Sequence, residues 1–373
     1  MLAMMFRQSV PLLCLFLLAP AMAQRSLADV QRQFTEEARK LAASEPKPEQ
    51  RDRLLRRHTE ELIKFLTTEA KGDDRWNGHL MLADLKLTAG DNKGATAALR
   101  GIDIAAAPPL LLATAATMAQ HLGAQDLRTA LVTAAIKKPA PSVERLAMAR
   151  LLMTVLREVD AGEALFTTAL KEAVDDEQRA FVRWHRADAL RDREDLPDNT
   201  GFEELEKLSK ELPRTYWGSV ARDVLRATSL KIGDEAIAFR APSLGGGEVA
   251  SATLLGKAVV LAFWSQADHD TPALLGTLQQ LRQQHGQAVA VIGICLDRDA
   301  AAITAAVQTL HIDFPELGDG KGDQNDVALR WFVHGPTVHV IDKSGKLAGL
   351  GLQAGTADGR NELIEIVGRT VKN

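Results

Sequence analysis

The chain has 373 residues, of which 46% are hydrophobic and 25% charged, with a formal net charge of -4. This balance is ordinary for a globular protein, argues against a disordered chain or a bundle of membrane helices, and allows two domains with separate cores. A net negative charge provides no basic surface for nucleic acid, so nucleic-acid binding is not expected.

The first 23 residues have the three parts of a secretory signal peptide. Arg7 precedes an apolar run from Val10 to Leu18, and Ala21-Met22-Ala23 stands before Gln24, as at a cleavage site. An uncleaved anchor is the alternative, but the apolar run is too short to span a bilayer comfortably. We therefore predict an exported protein, periplasmic or secreted, with no membrane span after cleavage.

Cysteine content limits the redox chemistry. The two cysteines are Cys14, inside the predicted signal peptide, and Cys295. Cleavage would leave one thiol, so no intramolecular disulfide is expected. Cys295 lies in an apolar run, which favours a buried structural thiol over a reactive one.

Residues 24–230 read as an all-helical region. Apolar residues recur at the spacing of one helix face, as Leu54, Leu62, Phe65 and Leu66 illustrate, and strand-like runs are few. The region is predicted to form helical hairpins or a bundle.

Several helix starts in this region recur with a similar period. Each pairs an Asp with an Ala four residues later: Asp91 with Ala95, Asp126 with Ala130, and Asp160 with Ala164. The Asp is expected to cap its helix, and the Ala to let a neighbouring helix approach closely. Spacings of 35 and 34 residues resemble tetratricopeptide-type hairpins, whose stacking implies a curved surface for a protein or peptide partner. An irregular bundle with a chance period is the alternative.

Two other features of the helical region are predicted to be structural. The segment Arg183–Arg193 interleaves acidic with basic residues, which favours a solvated helix face over an anion site. Single aromatic residues at helical spacing favour core packing over a ligand surface. They are Trp76, Trp184, Tyr216 and Trp217.

Residues 231–373 change to strands that alternate with helices. The run Ala258–Trp264 is a buried strand by length and composition. Another strand is expected at 288–296, and the segments 336–342 and 347–350, joined by the turn Lys343–Lys346, predict a hairpin. A helix over Glu362–Val371 closes the chain.

This second region resembles the TlpA-type thioredoxin-like (redoxin) family. The resemblance rests on the entry Gly233-Asp234, on the strand that begins at Gly256-Lys257 and ends at Phe263-Trp264, and on Pro336-Thr337. It implies an α/β thioredoxin-like domain over 231–373, with a central mixed sheet flanked by helices.

The family's active-site loop is altered in this chain. In the family the strand is followed by a Cys-x-x-Cys loop, whereas here the loop is Asp268-His269-Asp270-Thr271. Asp268 and Thr271 stand at the two sulfur positions. Thiol-disulfide exchange requires an attacking and a resolving thiol, so no catalytic residue is assigned and the protein is not expected to be an enzyme.

The resemblance also implies that Pro336 occupies the cis-proline position that faces this loop. X-Pro bonds have a small enough trans preference to be held cis by surrounding structure. Gly335 directly precedes Pro336, where the family usually has one more residue.

A metal site is the sharper hypothesis for the loop. Asp268, His269 and Asp270 lie together, and His334 precedes the Pro336 turn that faces the loop in the family fold. Imidazole and carboxylate groups can bind Zn or Cu. Adjacent residues rarely all point at one ion, so an exposed polar loop without metal or other cofactor is the favoured alternative.

We therefore expect an exported protein whose degenerate redox centre serves as a protein- or peptide-binding module in the cell envelope. A Cu or Zn carrier that uses Asp268, His269, Asp270 and His334 is one alternative. Residual thiol-disulfide oxidoreductase activity through Cys295 is another.

Overall fold

The computed structural model describes residues 25–42, 44 and 47–372. The predicted signal peptide, with Cys14, lies outside the described residues. Within the described part no helix is both long and apolar enough to cross a bilayer. The chain divides into two compact units between Gly162 and Glu163.

The first unit is built from helices. Consecutive helices pair, α3 with α4 and α5 with α6, and Val30, Leu62 and Phe65 form part of a buried apolar cluster between the first helices. The helices are α1 (Leu27–Ala42), α2 (Pro48–Thr68), α3 (Asp73–Thr88), α4 (Asn92–Arg100), α5 (Pro109–His121), α6 (Gln125–Lys137) and α7 (Ser142–Thr154), followed by α8 (Val159–Glu172), which crosses the division.

The predicted helix starts are only partly alike. Asp91 caps α4, because its carboxylate accepts a hydrogen bond from Gly94 N at 2.8 Å, and Ala95 is fully buried. Asp126 instead lies in the first turn of α6. Ala130 and Ala164 are exposed, so the expectation of close helix approach at these two positions is wrong. The tetratricopeptide-like repeat stays a prediction.

The second unit joins three more helices to an α/β domain. The helices are α9 (Asp176–Arg191), α10 (Thr200–Glu211) and α11 (Tyr216–Ala227). The α/β elements are β1 (Arg240–Pro242), β2 (Glu248–Ala250), β3 (Ala258–Trp264), α12 (Thr271–His285), β4 (Val289–Cys295), α13 (Ala300–Thr309), α14 (Asp326–Arg330), β5 (Thr337–Ile341), β6 (Leu347–Leu352) and α15 (Ala357–Lys372).

The central sheet has the strand order β4-β3-β5-β6. Strand β3 pairs parallel with β4 and antiparallel with β5, and β5 pairs antiparallel with β6. Its alternate residues face two cores, because successive side chains of a strand point to opposite faces. Val260 and Trp264 pack toward α12, α13 and α15, and Phe263 packs toward α14. The predicted thioredoxin-like mixed sheet flanked by helices is confirmed.

A short segment covers the outer edge of β4. Gly293 N donates to Pro315 O at 2.9 Å, and Leu317 N donates to Gly293 O at 2.8 Å, which forms a parallel bridge between Gly293 and Glu316. This bridge brings the Glu316 side chain beneath the ends of β3 and β4.

Helices α9–α11 pack against the α/β domain. Leu329 on α14 is buried in one cluster with Val220 and Val224 on α11, and Arg330 donates to Asp223. The domain boundary at 230/231 stays a prediction. The packing described here places α9–α11 in the same compact unit as the sheet.

The charged segment on α9 does not form a solvated face, so that expectation is wrong. Arg183 donates to Glu204 at 3.1 Å, and only 15% of the Arg183 side chain is exposed. Arg186 donates to Glu163 at 2.9 Å. These pairs join α9 to α8 and α10, whose acidic residues lie outside the segment from which the prediction was made.

The four aromatic residues divide into two kinds. Trp76 and Trp184 are buried, as predicted. Tyr216 is exposed, and the half-buried Trp217 contacts the Phe181 ring, with the two centroids 5.5 Å apart. These last two residues are therefore only partly in the core.

Candidate functional site

The loop between β3 and α12 is held by hydrogen bonds of its own. Asp270 N donates to Asp268 Oδ1 at 3.0 Å, and Thr271 N donates to Asp268 O at 3.2 Å. Pro272 stands in the first turn of α12, where its missing N–H costs no helix hydrogen bond. Asp268 and Thr271, the residues at the predicted sulfur positions, therefore lie at the two ends of one turn that leads into the helix.

Asp297 anchors the beginning of this loop from the neighbouring strand. Its carboxylate accepts hydrogen bonds from Ser265 Oγ at 2.6 Å and from Gln266 N at 3.0 Å. Thr271 Oγ1 closes the loop by donating to Ser265 O at 2.6 Å. Sequence reasoning gave Asp297 no part in the site. The available signal was its position just after β4, since the carboxyl ends of parallel neighbours meet at one edge of the sheet.

A small cavity of about 90 Å³ lies between this loop and the start of β5. Its lining brings together three of the predicted loop residues and the predicted proline. The lining residues are Asp268, Asp270, Thr271, Leu274, Pro336, Thr337, Val338, Gln353, Ala354, Gly355 and Thr356. Pro336 therefore faces the loop as the family resemblance implied.

The Gly335–Pro336 peptide bond is trans, because no peptide bond among residues 25–42, 44 and 47–372 is cis. The expected cis proline at Pro336 is wrong. The trans form of an X-Pro bond is favoured by roughly 0.5–1 kcal/mol unless neighbours impose the other isomer.

The structure brings three of the four proposed metal ligands together. Ligand atoms of Asp268, His269 and Asp270 all lie within 4.8 Å of one another. His269 Nε2 is 3.1 Å from Asp270 Oδ1, and the His269 side chain is 90% exposed. His334 lies apart from this group, with its Nδ1 3.7 Å from Asp323 Oδ2.

Cys295 is the one cysteine in the described part of the chain, and it is fully buried. Its Sγ donates to Asp297 Oδ2 at 3.3 Å. Burial raises the pKa of this thiol above its ordinary value, which lowers the thiolate population that could attack a disulfide. The predicted buried thiol is confirmed.

Residues 232–349 match the AhpC/TSA family. The C-terminal part carries an AhpC/TSA domain. The matched residues contain the whole Asp268–Thr271 loop and the Pro336 turn, so the candidate site lies inside the AhpC/TSA domain.

Several solved structures are similar to part of the chain. One is a secreted disulfide oxidoreductase of Mycobacterium tuberculosis homologous to E. coli DsbE, with 25% identity, 35% of this chain and 95% of that chain covered, and a TM-score of 0.31. Another is the thioredoxin domain of a Bacteroides vulgatus thiol-disulfide oxidoreductase, with 21% identity, coverages of 37% and 99%, and a TM-score of 0.33. A thiol:disulfide interchange protein of Chlorobium tepidum has 19% identity, coverages of 38% and 99%, and a TM-score of 0.33. No curated protein matches the chain.

Glu316 is a buried carboxyl of the AhpC/TSA domain that sequence reasoning missed. Its Oε2 accepts from Trp264 Nε1 at 2.8 Å, and its Oε1 accepts from Cys295 N at 2.6 Å and Gly318 N at 2.9 Å. Burial raises the pKa of Glu316 to about 7 although all three donors favour the charged form. The only sequence signal was a Glu inside an otherwise apolar segment.

His339 is a second buried ionisable group of the AhpC/TSA domain. Its Nδ1 accepts a hydrogen bond from Gly351 N at 3.0 Å, and its ring stacks on Trp331 with the centroids 5.0 Å apart. Burial lowers the pKa of His339 to about 4, so the imidazole is neutral at physiological pH. It lies mid-strand on β5 and takes no part in the cavity.

Proposed function

We propose that this chain is an exported protein whose AhpC/TSA domain binds an extended segment of another protein without redox chemistry. The observation that carries the proposal is the chemistry of the cavity beside Pro336. Asp268 and Thr271 both line this cavity, and they are the residues at the positions where the family resemblance implies cysteine. Export is supported by the signal-peptide pattern of residues 1–23.

Cys295, elsewhere in the domain, does not replace the two cysteines of the family's Cys-x-x-Cys loop. Cys295 is fully buried, and its thiol hydrogen is engaged with Asp297. Exchange through a single thiol would require exposure and a low pKa, and Cys295 has neither. This supports a non-catalytic role for the domain.

The shape of the site supports binding of an extended backbone. Gly335 leaves open space next to the cavity, so a peptide main chain can approach the Pro336 turn closely. Peptides that bind in extended form gain affinity from main-chain hydrogen bonds and specificity from small pockets for side chains. The cavity, lined by Thr337 and Leu274 among others, is of a size for one small side chain.

Insulin reduction by dithiothreitol tests the absence of redox chemistry. The chain from Gln24 onward is expected to give no acceleration over dithiothreitol alone. A double variant, Asp268→Cys with Thr271→Cys, restores two thiols at the start of α12, where the helix N-terminus favours a thiolate, and should accelerate the reaction. Acceleration by the unmodified chain that Cys295→Ser removes would overturn the proposal.

Binding is tested with an unfolded probe, fluorescein-labelled carboxymethylated α-lactalbumin, which carries no free thiol. Anisotropy should report saturable binding that Gly335→Val weakens at least tenfold, because the added side chain fills the space beside the cavity. Gly245→Val is the matched control in the exposed turn between β1 and β2 and should leave binding unchanged. No binding, or equal loss in both variants, would contradict the peptide site.

A second candidate function is transport or storage of Zn or Cu by the loop. The close approach of Asp268, His269 and Asp270 supports it, since imidazole and carboxylate suit either metal. His334, the fourth predicted ligand, lies against Asp323 instead. The three loop residues would therefore have to bind the ion without it.

Calorimetric titration with Zn²⁺ and Cu²⁺ tests the metal hypothesis. The expected result is one site whose affinity falls at least tenfold in His269→Ala, while His311→Ala, an exposed histidine on the 311–313 segment, binds like the unmodified chain. His334→Ala decides whether the fourth residue contributes. No heat of binding for either ion would remove this function.

A further inference from the structure

The three donors around Glu316 belong to the segments that lead into and flank the candidate site. Trp264 is the last residue of β3, directly before the loop, and Cys295 is the last residue of β4. Gly318 lies two residues beyond Glu316 itself. One carboxyl therefore ties the ends of both central strands together.

Two glycines lie against the carboxyl group of Glu316. A Cβ added at Gly293 would collide with Glu316 Oε2, and one added at Gly318 would lie 3.0 Å from Glu316 Oε1. Gly293 thus leaves the space that the carboxyl occupies, and Gly318 allows both Cys295 and the carboxyl to approach closely. A buried carboxyl that is hydrogen-bonded on both oxygens restricts the conformations of the residues that donate to it.

The restriction extends into the loop through two routes. Trp264 is covalently joined to Ser265, the first loop residue. Cys295, whose N–H is held by Glu316, donates its thiol hydrogen to Asp297, and Asp297 in turn binds Ser265 and Gln266. A change at Glu316 therefore reaches the start of the loop from both sides.

The charges that face Glu316 do not include a compensating cation. Strand β3 is apolar throughout, and β4 contributes the Cys295 thiol, with the Asp297 carboxylate just beyond its end. On its own segment, Asp319 pairs with Lys321 at 3.0 Å. Within the part of the chain that the structure describes, Glu316 forms no salt bridge, so its charge is stabilised by N–H groups, to which the Leu317 backbone also contributes.

Both oxygens of Glu316 face donors, so an added proton has no acceptor among these partners. A proton on Oε2 would weaken the hydrogen bond from the indole N–H of Trp264, because a neutral carboxyl oxygen is a poorer acceptor than a carboxylate oxygen and its own hydrogen points toward a donor. Because burial raises the pKa of Glu316 to about 7, the carboxyl changes charge near neutral pH.

We propose that Glu316 is a positioning residue for the Ser265–Thr271 loop, and that proton uptake by its carboxyl releases Trp264 and shifts the loop. The conformational change is expected without any ligand. Its effect on ligand binding at the cavity rests on the proposed function.

Nuclear magnetic resonance of the ¹⁵N-labelled chain from Gln24 onward tests this without any ligand. The indole N–H of Trp264, assigned by its disappearance in Trp264→Phe, and the backbone amide of Gln266 are followed between pH 5 and 9. Both should titrate with one common midpoint in the unmodified chain. In Glu316→Gln this common titration should be lost, while His339→Asn, which removes another buried ionisable group, should retain it.

If Glu316→Gln fails to fold, Trp264→Phe provides the second variant, because it removes the indole donor and leaves Glu316 ionisable. The amplitude of the Gln266 titration should then fall at least twofold. A Gln266 amide that titrates unchanged in either variant, or that does not titrate in the unmodified chain, would overturn the proposal. Failure of α-lactalbumin to bind would refute the proposed function but would not alter the expected titrations of Trp264 and Gln266.

Discussion

The guanidinium of Arg330 on α14 donates to the carboxylate of Asp223 on α11 at 2.6 Å, with 15% and 18% of the two side chains exposed. This ion pair links the last helix of the helical region to the AhpC/TSA domain. Removing one partner of a largely buried pair leaves the other charge uncompensated. We expect Arg330→Met to lower the free energy of unfolding by about 3 kcal/mol, measured by urea denaturation followed by circular dichroism.

An exposed pair provides the control for that experiment. Arg369 and Glu365 on α15 are 3.5 Å apart with 66% and 69% of their side chains exposed. Arg369→Met should change the free energy of unfolding by less than about 1 kcal/mol, as for surface ion pairs generally. Similar losses of unfolding free energy in the two variants would show that the Arg330–Asp223 pair stabilises the fold no more than an exposed pair does.

The length of fragment that folds independently is a second prediction. Residues 163–373 contain α9–α11 together with the sheet, whereas residues 232–373 would expose Leu329 and leave Arg330 without Asp223. We expect the longer fragment to have the higher urea midpoint and the steeper unfolding transition. Equal midpoints would mean that α9–α11 add no stability to the AhpC/TSA domain.

Acid stability should depend on His339. Its pKa is about 4 in the folded chain, against an ordinary value of 6.5, so the unfolded chain binds the proton more tightly. The contribution of neutral His339 is fully present above pH 6.5 and is lost as pH falls toward 4. The resulting loss of unfolding free energy is about 3 kcal/mol. His339→Asn, whose Oδ1 can still accept from Gly351, should remove this part of the pH dependence of the unfolding free energy.

Ionisation of Glu316 should change the unfolding free energy with pH in the opposite direction. Its pKa is about 7 in the folded chain, against an ordinary value of 4.5, so the folded chain binds the proton more tightly. Its contribution is fully present below pH 4.5 and is lost as pH rises toward 7, again by about 3 kcal/mol.

The two slopes oppose each other between pH 4.5 and 6.5, and the unmodified chain should have a nearly flat stability profile there. Glu316→Gln should therefore become less stable on acidification, and His339→Asn less stable on alkalinisation. Parallel profiles for the two variants would contradict both assignments.

Thiol reactivity provides a further prediction. In a Cys14→Ser chain, Cys295 should be unreactive toward Ellman's reagent over minutes at pH 8, because it is fully buried and hydrogen-bonded to Asp297. Denaturation should release one thiol per chain. Prompt labelling of the folded protein would show that the β4 end opens readily.

Much of the α/β domain could be predicted from its local patterns. The run Ala258–Trp264 is strand β3 to the residue, because a continuous apolar run of that length can be buried on both faces. Asp299 directly precedes α13 and caps it, a role that this residue type favours. The hairpin of β5 and β6 follows from its turn residues. Each of these signals lies within a few residues of the element that it predicts.

The errors arose where partners are distant in sequence. The Arg183 prediction failed because its partner Glu204 lies on another helix, 21 residues away. Glu316 is 52 residues from Trp264 and 21 from Cys295, so its role depends on tertiary packing that no local pattern shows. The Pro336 isomer was implied by the family resemblance, although Gly335 directly precedes Pro336 where the family usually has one more residue.

The short parallel bridge between Gly293 and the segment around Glu316 also determines how the sheet meets other molecules. It occupies main-chain groups of β4 that would otherwise face solvent at one end of the sheet. An unprotected border of that kind is where copies of a protein join into continuous sheets. Because the backbone of the 315–317 segment already fills this position, self-association through β4 is unfavourable.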